Sequence, residues 1–481
     1  MQKIRELRFA AAAAAPAIFA LALLQGCSLP GTAEPLTLQE TLPLPERWTF
    51  ASEEGQSIEL GTYWALLNDP LIDEFVAQAR EQNYDIAQSL AQLRAAEAGL
   101  REARAARVPS ATAGGGVGRD FGDLSRDEFQ FSLNADLAWE LDLFGRISSS
   151  IDASRADLAA AGFNAADLER VVVATVAIQT ITARSVAAQL DFARRSLANQ
   201  DDNLQIARWR NQAGLVSSLD VEQARTQRAQ TAASIPLLEG DLVTAANAIS
   251  TLIGDPPGEV YARLLADPRD VPTPPLSNSV EAPADILRMR PDVSAAEARL
   301  VGDLERIGIA RAQLYPIARL TGTVGTSSFG IDDLFDVITG NIFASISQLI
   351  FDGGAARARV DASRAIADGS LAAWQQSILT ALEDVETASV DLETSNERVI
   401  ALVEASDGAR NAAILGRSQY QAGLIDFQVL LNVESALLSA ETSQISAEAA
   451  RAIAFVQLAR AMGGGWRMPT EQNSQDRDNG Q

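Results

Sequence analysis

Reactions at neutral pH need a proton carrier, a nucleophile or a metal ligand, and this chain holds few of them. Its 481 residues include no histidine, one cysteine (Cys27) and four methionines. Without imidazole, general acid–base catalysis and zinc or copper ligation lose their usual groups. Export of copper or silver therefore has little ligand support, and neither a metal nor a cofactor is expected. A carboxylate hydrolase would need a paired-acid motif, which the 63 acidic residues do not form. The glycine-rich stretch 114–118 could cradle a phosphate, but no Lys-Ser or Lys-Thr follows it, and a strand comes next instead of a helix N-terminus. Acidic residues outnumber basic ones 63 to 39, and a net charge of -24 argues against nucleic acid as a partner. If those carboxylates line a passage, the passage prefers cations. The residues point away from an enzyme.

The one thiol is placed for a different reaction. Lys3, Arg5 and Arg8 precede an uncharged apolar run from Phe9 to Leu24, the order of a secretory signal. Its 16 residues are marginal for a bilayer span. The run ends Leu24-Gln25-Gly26-Cys27, which resembles the lipobox of bacterial lipoproteins. That resemblance implies cleavage after residue 26 and acylation of Cys27. Several chains on one residue anchor a protein stably, each buried CH₂ adding about 0.8 kcal/mol. Ser28, in place of aspartate, resembles the sorting that releases such proteins to the outer membrane. With Cys27 consumed, no disulfide can form.

The elements that surround these residues occur twice. Residues 85–118 laid on 292–325 without a gap give 11 identities in 34 positions, with Pro109 on Pro316. A second gapless stretch runs from Gly145 on Gly354 to Gly254 on Gly463, and places Gln212-Ala213-Gly214-Leu215-Val216 on Gln421-Ala422-Gly423-Leu424-Ile425. The offset is 207 in the first stretch and 209 in the second, so each half encodes one supersecondary unit.

Within a unit, residues 70–108 read as a helix, entered at Pro70 and stopped by Pro109. From Phe129 the period changes to two. Phe129, Phe131, Leu133, Ala135, Leu137 and Trp139 fall on one face, and Gln130, Ser132, Asn134, Asp136 and Glu140 on the other. A strand partner at 111–121 joins through a polar loop at 122–128. The second half repeats this at 318–329, with a loop to Gly340 and a strand placing Ile342, Ala344 and Ile346 opposite Ser345 and Ser347. Strands of about ten residues, apolar on one side, match a tilted bilayer crossing with Trp139 at an interface.

Two proline-free helices follow, 147–212 and 355–421, each a rod of about 100 Å. Val176, Ala183, Leu190, Leu197 and Leu204 recur in sevens, as do Val385, Leu392 and Val399, so the rods pack as coiled coils. Each turns at Gly214 or Gly423 into a return helix of about 40 residues. Four strands cannot close a barrel, and lipid leaves open edges unsatisfied at several kcal/mol per bare polar group. Copies must pool their strands: two would give eight, three twelve.

At this point the chain resembles the TolC and OprM outer-membrane channels, most closely their NodT-like lipoprotein branch. The stretches that carry the resemblance are Trp139-Glu140-Leu141-Asp142-Leu143-Phe144-Gly145-Arg146, Arg290-Pro291-Asp292-Val293, Phe351-Asp352-Gly353-Gly354 and Tyr420-Gln421-Ala422-Gly423-Leu424. The resemblance implies a fold that is mainly α with β: a homotrimer with a 12-strand β-barrel on a coiled-coil α-helical barrel. It implies lipid contact at Phe129, Phe131, Leu133, Leu137, Trp139, Ile342 and Ile346, in an outer-membrane protein that extends into the periplasm. A periplasmic membrane-fusion adaptor would dock at Gly214, Leu215, Gly423 and Leu424, and an inner-membrane pump of the resistance-nodulation-division (RND) type would drive export. Tyr420 and Asp220 match a latch that closes the periplasmic gate. Two positions depart from the pattern: Ile425 stands where a latch arginine can occur, and Asn432 replaces an aspartate of the constriction ring.

The expected layout is a signal peptide at 1–26, an acylated segment at 27–69, a first repeat at 70–254, a Pro-rich equatorial linker at 255–291, a second repeat at 292–466 and a disordered tail at 467–481. Type I protein secretion is the nearest alternative, and the lipobox with the NodT-like stretches argues against it. A non-conducting coiled-coil surface lipoprotein would explain the rods but not the amphipathic hairpins.

Overall fold

The computed structural model describes residues 45, 47–50, 56–57, 59–119, 121, 128–275, 278–279, 286–287 and 289–466. The signal, Cys27, the loop residues 122–127 and the tail from Arg467 lie outside them. In chain order the elements are β1 (Gln56–Ser57), a 3-10 helix (Leu60–Leu67), α1 (Pro70–Gln82), α2 (Tyr84–Ala105), β2 (Ser110–Arg119), β3 (Phe129–Leu141), α3 (Arg146–Gln212) and α4 (Ser218–Ile253). They continue with α5 (Glu259–Ala266), β4 (Asn278–Ser279), α6 (Pro291–Ala312), β5 (Ile317–Ser328), β6 (Ile338–Ser347), α7 (Ala355–Gln421) and α8 (Phe427–Ala461). Helix, hairpin, long helix and return helix thus occur twice in one order. Two compact units result. One is built from Ala103–Asp152 and Leu304–Ala365, the other from Leu44–Glu102, Ala153–Asp303 and the chain from Ile366 on, so each repeat feeds both.

The first unit holds a four-stranded antiparallel sheet in the order β2-β3-β5-β6. Ser110 faces Ala138 in the first hairpin, and Ile317 faces Ser347 in the second. Subtracting the sequence offsets of 207 and 209 converts the second pair into the first, so both hairpins share one register. The two-residue insertion therefore lies between the strands of the second hairpin. β6 starts earlier than the sequence suggests: the β-branched Ile338 and Thr339 extend it, and Gly340 pairs with Val324 inside the strand instead of ending the loop.

The second unit carries the main core, where Tyr63, Ile72, Phe75, Val173, Val176, Ile181, Leu242, Ile249 and Phe455 are all buried. Asp69 caps α1 by accepting from the Leu71 amide at 3.0 Å, and Pro70 opens the first turn. The same carboxylate takes both arms of the buried Arg184, at 2.8 and 3.0 Å. The single helix expected over 70–108 is two. Asn83 adopts an extended backbone, and its side chain accepts from the Ile86 amide at 2.9 Å and donates to the Leu252 carbonyl at 2.8 Å. That pair of bonds breaks the helix and starts the next one. The linker at 255–291 is also not bare: α5 forms within it, burying Val260 and Leu264.

Duplication is visible in packing too. Gly254 (φ +77°) and Gly463 (φ +86°) end the return helices, where a Cβ would lie 2.8 Å from the Gln82 carbonyl and 2.9 Å from the Met289 carbonyl. Gln82 and Met289 are themselves 207 apart, so one close approach is made twice.

Candidate functional site

Two surfaces carry the candidate residues, one in each unit. In the sheet, directly opposed residues share a face. Leu137 opposes Ala111 and Gly322, and Gly322 opposes Ile342, giving one apolar row across four strands. The row of Ala318, Leu141 and Ile346 and the row of Val117 and Phe131 lie on the same face. Phe129, Leu133, Ile342 and Ile346 are exposed in the single chain, Ile342 to 82%. Phe131 and Trp139 are half-buried, and the Trp139 indole donates to the Arg107 carbonyl at 3.0 Å. All seven residues expected to face lipid therefore fall on one side.

The other side is mainly polar, although Phe343, opposite Thr321, also lies on it. Asp136 opposes Thr112 and Thr323, and Thr323 opposes Asn341. The Asp136 carboxylate accepts from the Thr323 hydroxyl at 2.8 Å and from the Asn134 amide. Glu140 meets Arg146 at 2.8 Å and Arg319 at 3.6 Å. Among the described residues, the outer strands of the sheet, β2 and β6, have a neighbour on one side only. A surface with one greasy face, one wet face and two open edges suits a segment of a wall between lipid and water.

In the second unit, α3 and α7 end alike. Gly214 and Gly423 take φ of +72° and +75°, and the next residue, Leu215 or Leu424, donates to the carbonyl five positions back, at 2.8 and 2.9 Å. This is the Schellman stop, which a residue with a Cβ enters at a cost of about 1 kcal/mol. Leu215 and Leu424 are left about three-quarters exposed, at 74% and 75%.

Of the residues expected at the gate, Tyr420 and Asp220 lie within electrostatic reach of one another. Tyr420 is buried in a small core with Leu204, Ala207, Ala224, Phe427 and Leu430. The Arg210 guanidinium lies 4.5 Å over its ring while donating to the Gln421 carbonyl at 2.9 Å. Burial pushes the Tyr420 hydroxyl pKa up, Arg210 opposes the shift, and the Asp220 charge adds to it. Asp220 itself closes a capping box with Ser217 at the start of α4, its carboxylate accepting from the Ser217 amide at 3.0 Å. Asn432 is exposed and accepts from Gln428 at 3.1 Å. Two positions on, on another face of the helix, Glu434 is buried, accepts from Asn203 at 2.7 Å and pairs with Arg417 at 3.4 Å. It ties α8 to α3 and α7 together. Burial raises its pKa, and the Asn203 bond and Arg417 partly offset the rise. No run of residues announces this contact, because its three members lie on separate helices. Among the described residues, no group of acidic or sulfur side chains is arranged to hold a metal ion.

A family model described as "Outer membrane efflux protein" matches residues 75–255 and 282–464. The chain is 30% identical to the toluene efflux pump outer membrane protein TtgF of Pseudomonas putida over 461 residues, covering 92% of this chain and 95% of that one. It is 28% identical to nodulation protein T of Rhizobium leguminosarum bv. trifolii over 71% of this chain and 73% of the relative. A solved structure of the outer-membrane channel OprN superposes with a TM-score of 0.80 at 31% identity, covering 92% of this chain and all of that one.

Proposed function

The chain belongs to the outer membrane efflux protein family, and on that premise we propose that three copies close one passive conduit from periplasm to exterior. The protein is the outer-membrane channel component of an efflux system. The observation that carries the trimeric reading is the sheet: its polar and apolar faces are complete, while its two edges are open. Twelve pooled strands satisfy those edges and fall within the range of outer-membrane barrels. The exposed leucines after the helix stops, Leu215 and Leu424, are the contact we assign to a periplasmic adaptor. That adaptor would couple the channel to an inner-membrane RND pump, and the exported cargo would be small molecules such as drugs. Tyr420, Asp220 and Asn432 are assigned to the resting gate, and Cys27 to lipid attachment.

Planar-bilayer recording tests the reading. Purified protein should give stepwise single-channel currents from a species that runs as a trimer before boiling. Trimers that insert but pass no current would overturn it and favour a structural lipoprotein.

A further inference from the structure

The polar face of the sheet carries charge in few places, and most of it cancels. Among the described strand residues that share the face of Asp136, only Glu140 and Arg319 are also charged. Glu140 is paired with Arg319 and with Arg146. Asp136 meets neutral donors instead, the Thr323 hydroxyl at 2.8 Å and the Asn134 amide. Such donors fix a carboxylate without cancelling its charge.

The strand sequences build this setting. Gly114 and Gly325 flank Asn134 on the neighbouring strands, and a Cβ on either would stand 3.2 Å from the Asn134 side chain. Their bare backbones leave Asn134 room to turn its amide to Asp136, two residues on along the same face. The rest of the row is neutral as well: Thr112 opposes Asp136, and Asn341 opposes Thr323. We infer that Asp136 sets the charge preference of the channel wall, one fixed and unneutralised carboxylate per copy that draws small cations in and holds anions back. This rests on the reading that three copies close one conduit with the polar face inward. The preference is then a property of one residue and not of the chain's acidic excess.

Its size follows from the wall. Twelve strands about 4.8 Å apart, tilted about 40°, close to a cylinder about 24 Å across, so the three charges stand about 12 Å from its axis. The Debye length is about 30 Å at 0.01 M salt, about 10 Å at 0.1 M and about 3 Å at 1 M. Coulomb attraction in water, damped over those lengths, enriches cations over anions on the axis about tenfold at 0.01 M, about threefold at 0.1 M and hardly at all at 1 M.

Reversal potentials of the full-length protein in planar bilayers, in KCl gradients of one ratio centred near those three concentrations, test this. Asp136→Asn should lower the ratio of potassium to chloride permeability about tenfold at the lowest salt and about threefold at the middle one, with no change at the highest. Asp136→Glu should keep the original ratio. Thr112→Lys sets a cation directly opposite Asp136 and should lower the ratio in the same way, which keeps the test open where Asp136→Asn fails to assemble. A ratio left unmoved at the lowest salt by either variant, in channels that still conduct, overturns the role of Asp136 and leaves the conduit standing. Unaltered trimers that insert and pass no current overturn the conduit itself.

Discussion

Replacing Ile342 with lysine tests the face assignment at its most exposed point. Ile342 is the fifth of ten residues in β6, and 82% of it is open in the single chain. Ten residues of a tilted strand span an apolar band about 25 Å tall, which puts the fifth residue near the bilayer midplane. A lysine there costs about 2–4 kcal/mol per copy. With three copies the assembled channel loses about 6–12 kcal/mol. Asn341, one residue earlier, shares the polar row of Asp136 and Thr323, so Asn341→Lys should stay within about 0.5 kcal/mol. The assay is the fraction of heat-resistant trimer in outer-membrane extracts, followed by its midpoint in urea. Each copy's equilibrium should shift by a factor of about 100 for Ile342→Lys and hardly at all for Asn341→Lys. Equal losses, or a larger loss for Asn341→Lys, would refute the assignment of lipid and water sides.

Three other changes probe separate parts of the molecule. Arg184→Met leaves the Asp69 carboxylate buried without its cation and should cost about 3–5 kcal/mol in thermal or urea unfolding, whereas adding Asp69→Asn should recover part of that loss; no recovery would mean the pair is not what matters. Glu434 has a raised pKa in the folded protein, so protonation favours the fold: the stability it contributes is full below the ordinary glutamate value of about 4.3 and is lost as pH rises through the folded value. In Glu434→Gln the melting temperature should lose that slope in the window above about pH 4.3, and parallel curves for the two proteins would discard the argument. Cys27→Ser should abolish incorporation of labelled palmitate and leave the signal uncleaved, and unchanged labelling would remove the lipid-attachment assignment.

Much of this architecture is written in local periods. Alternation from Phe129 to Trp139 fixes a face without any knowledge of partners, and Gly214 and Gly423 mark helix stops because only a residue without a Cβ takes their backbone freely. What escapes sequence reading is set by contacts between distant segments. Asn83 looks like an ordinary helix residue until its amide finds the Leu252 carbonyl, 169 positions away. Glu434 is one acid among many until Asn203 and Arg417 reach it from two other helices. The helix Glu259–Ala266 is hidden by its surroundings, since Pro256, Pro257 and Pro268 read as linker although Val260 and Leu264 face the core. Tyr420 shows a third kind of gap. Its burial beneath Arg210 is a property of one chain, and a latch toward a neighbouring helix can be read only in the assembly.

Each unit, taken by itself, is unfinished in the same sense. Among the described residues the sheet lacks partners along the outer edges of β2 and β6, and α7 leaves Ile366, Ile400, Ile414 and Leu415 open, each more than half exposed. Large aliphatics on a coiled-coil rod are normally covered by another helix, as strand edges are covered by another strand. A protomer that leaves both kinds of surface bare has no reason to hold its native form alone, so folding and assembly become one equilibrium. Its stability then depends on protomer concentration, and a substitution on either bare surface should shift the unfolding midpoint more in dilute samples than in concentrated ones. A midpoint that does not move with concentration would mean that the single chain is stable by itself, and the shared wall would lose its energetic rationale.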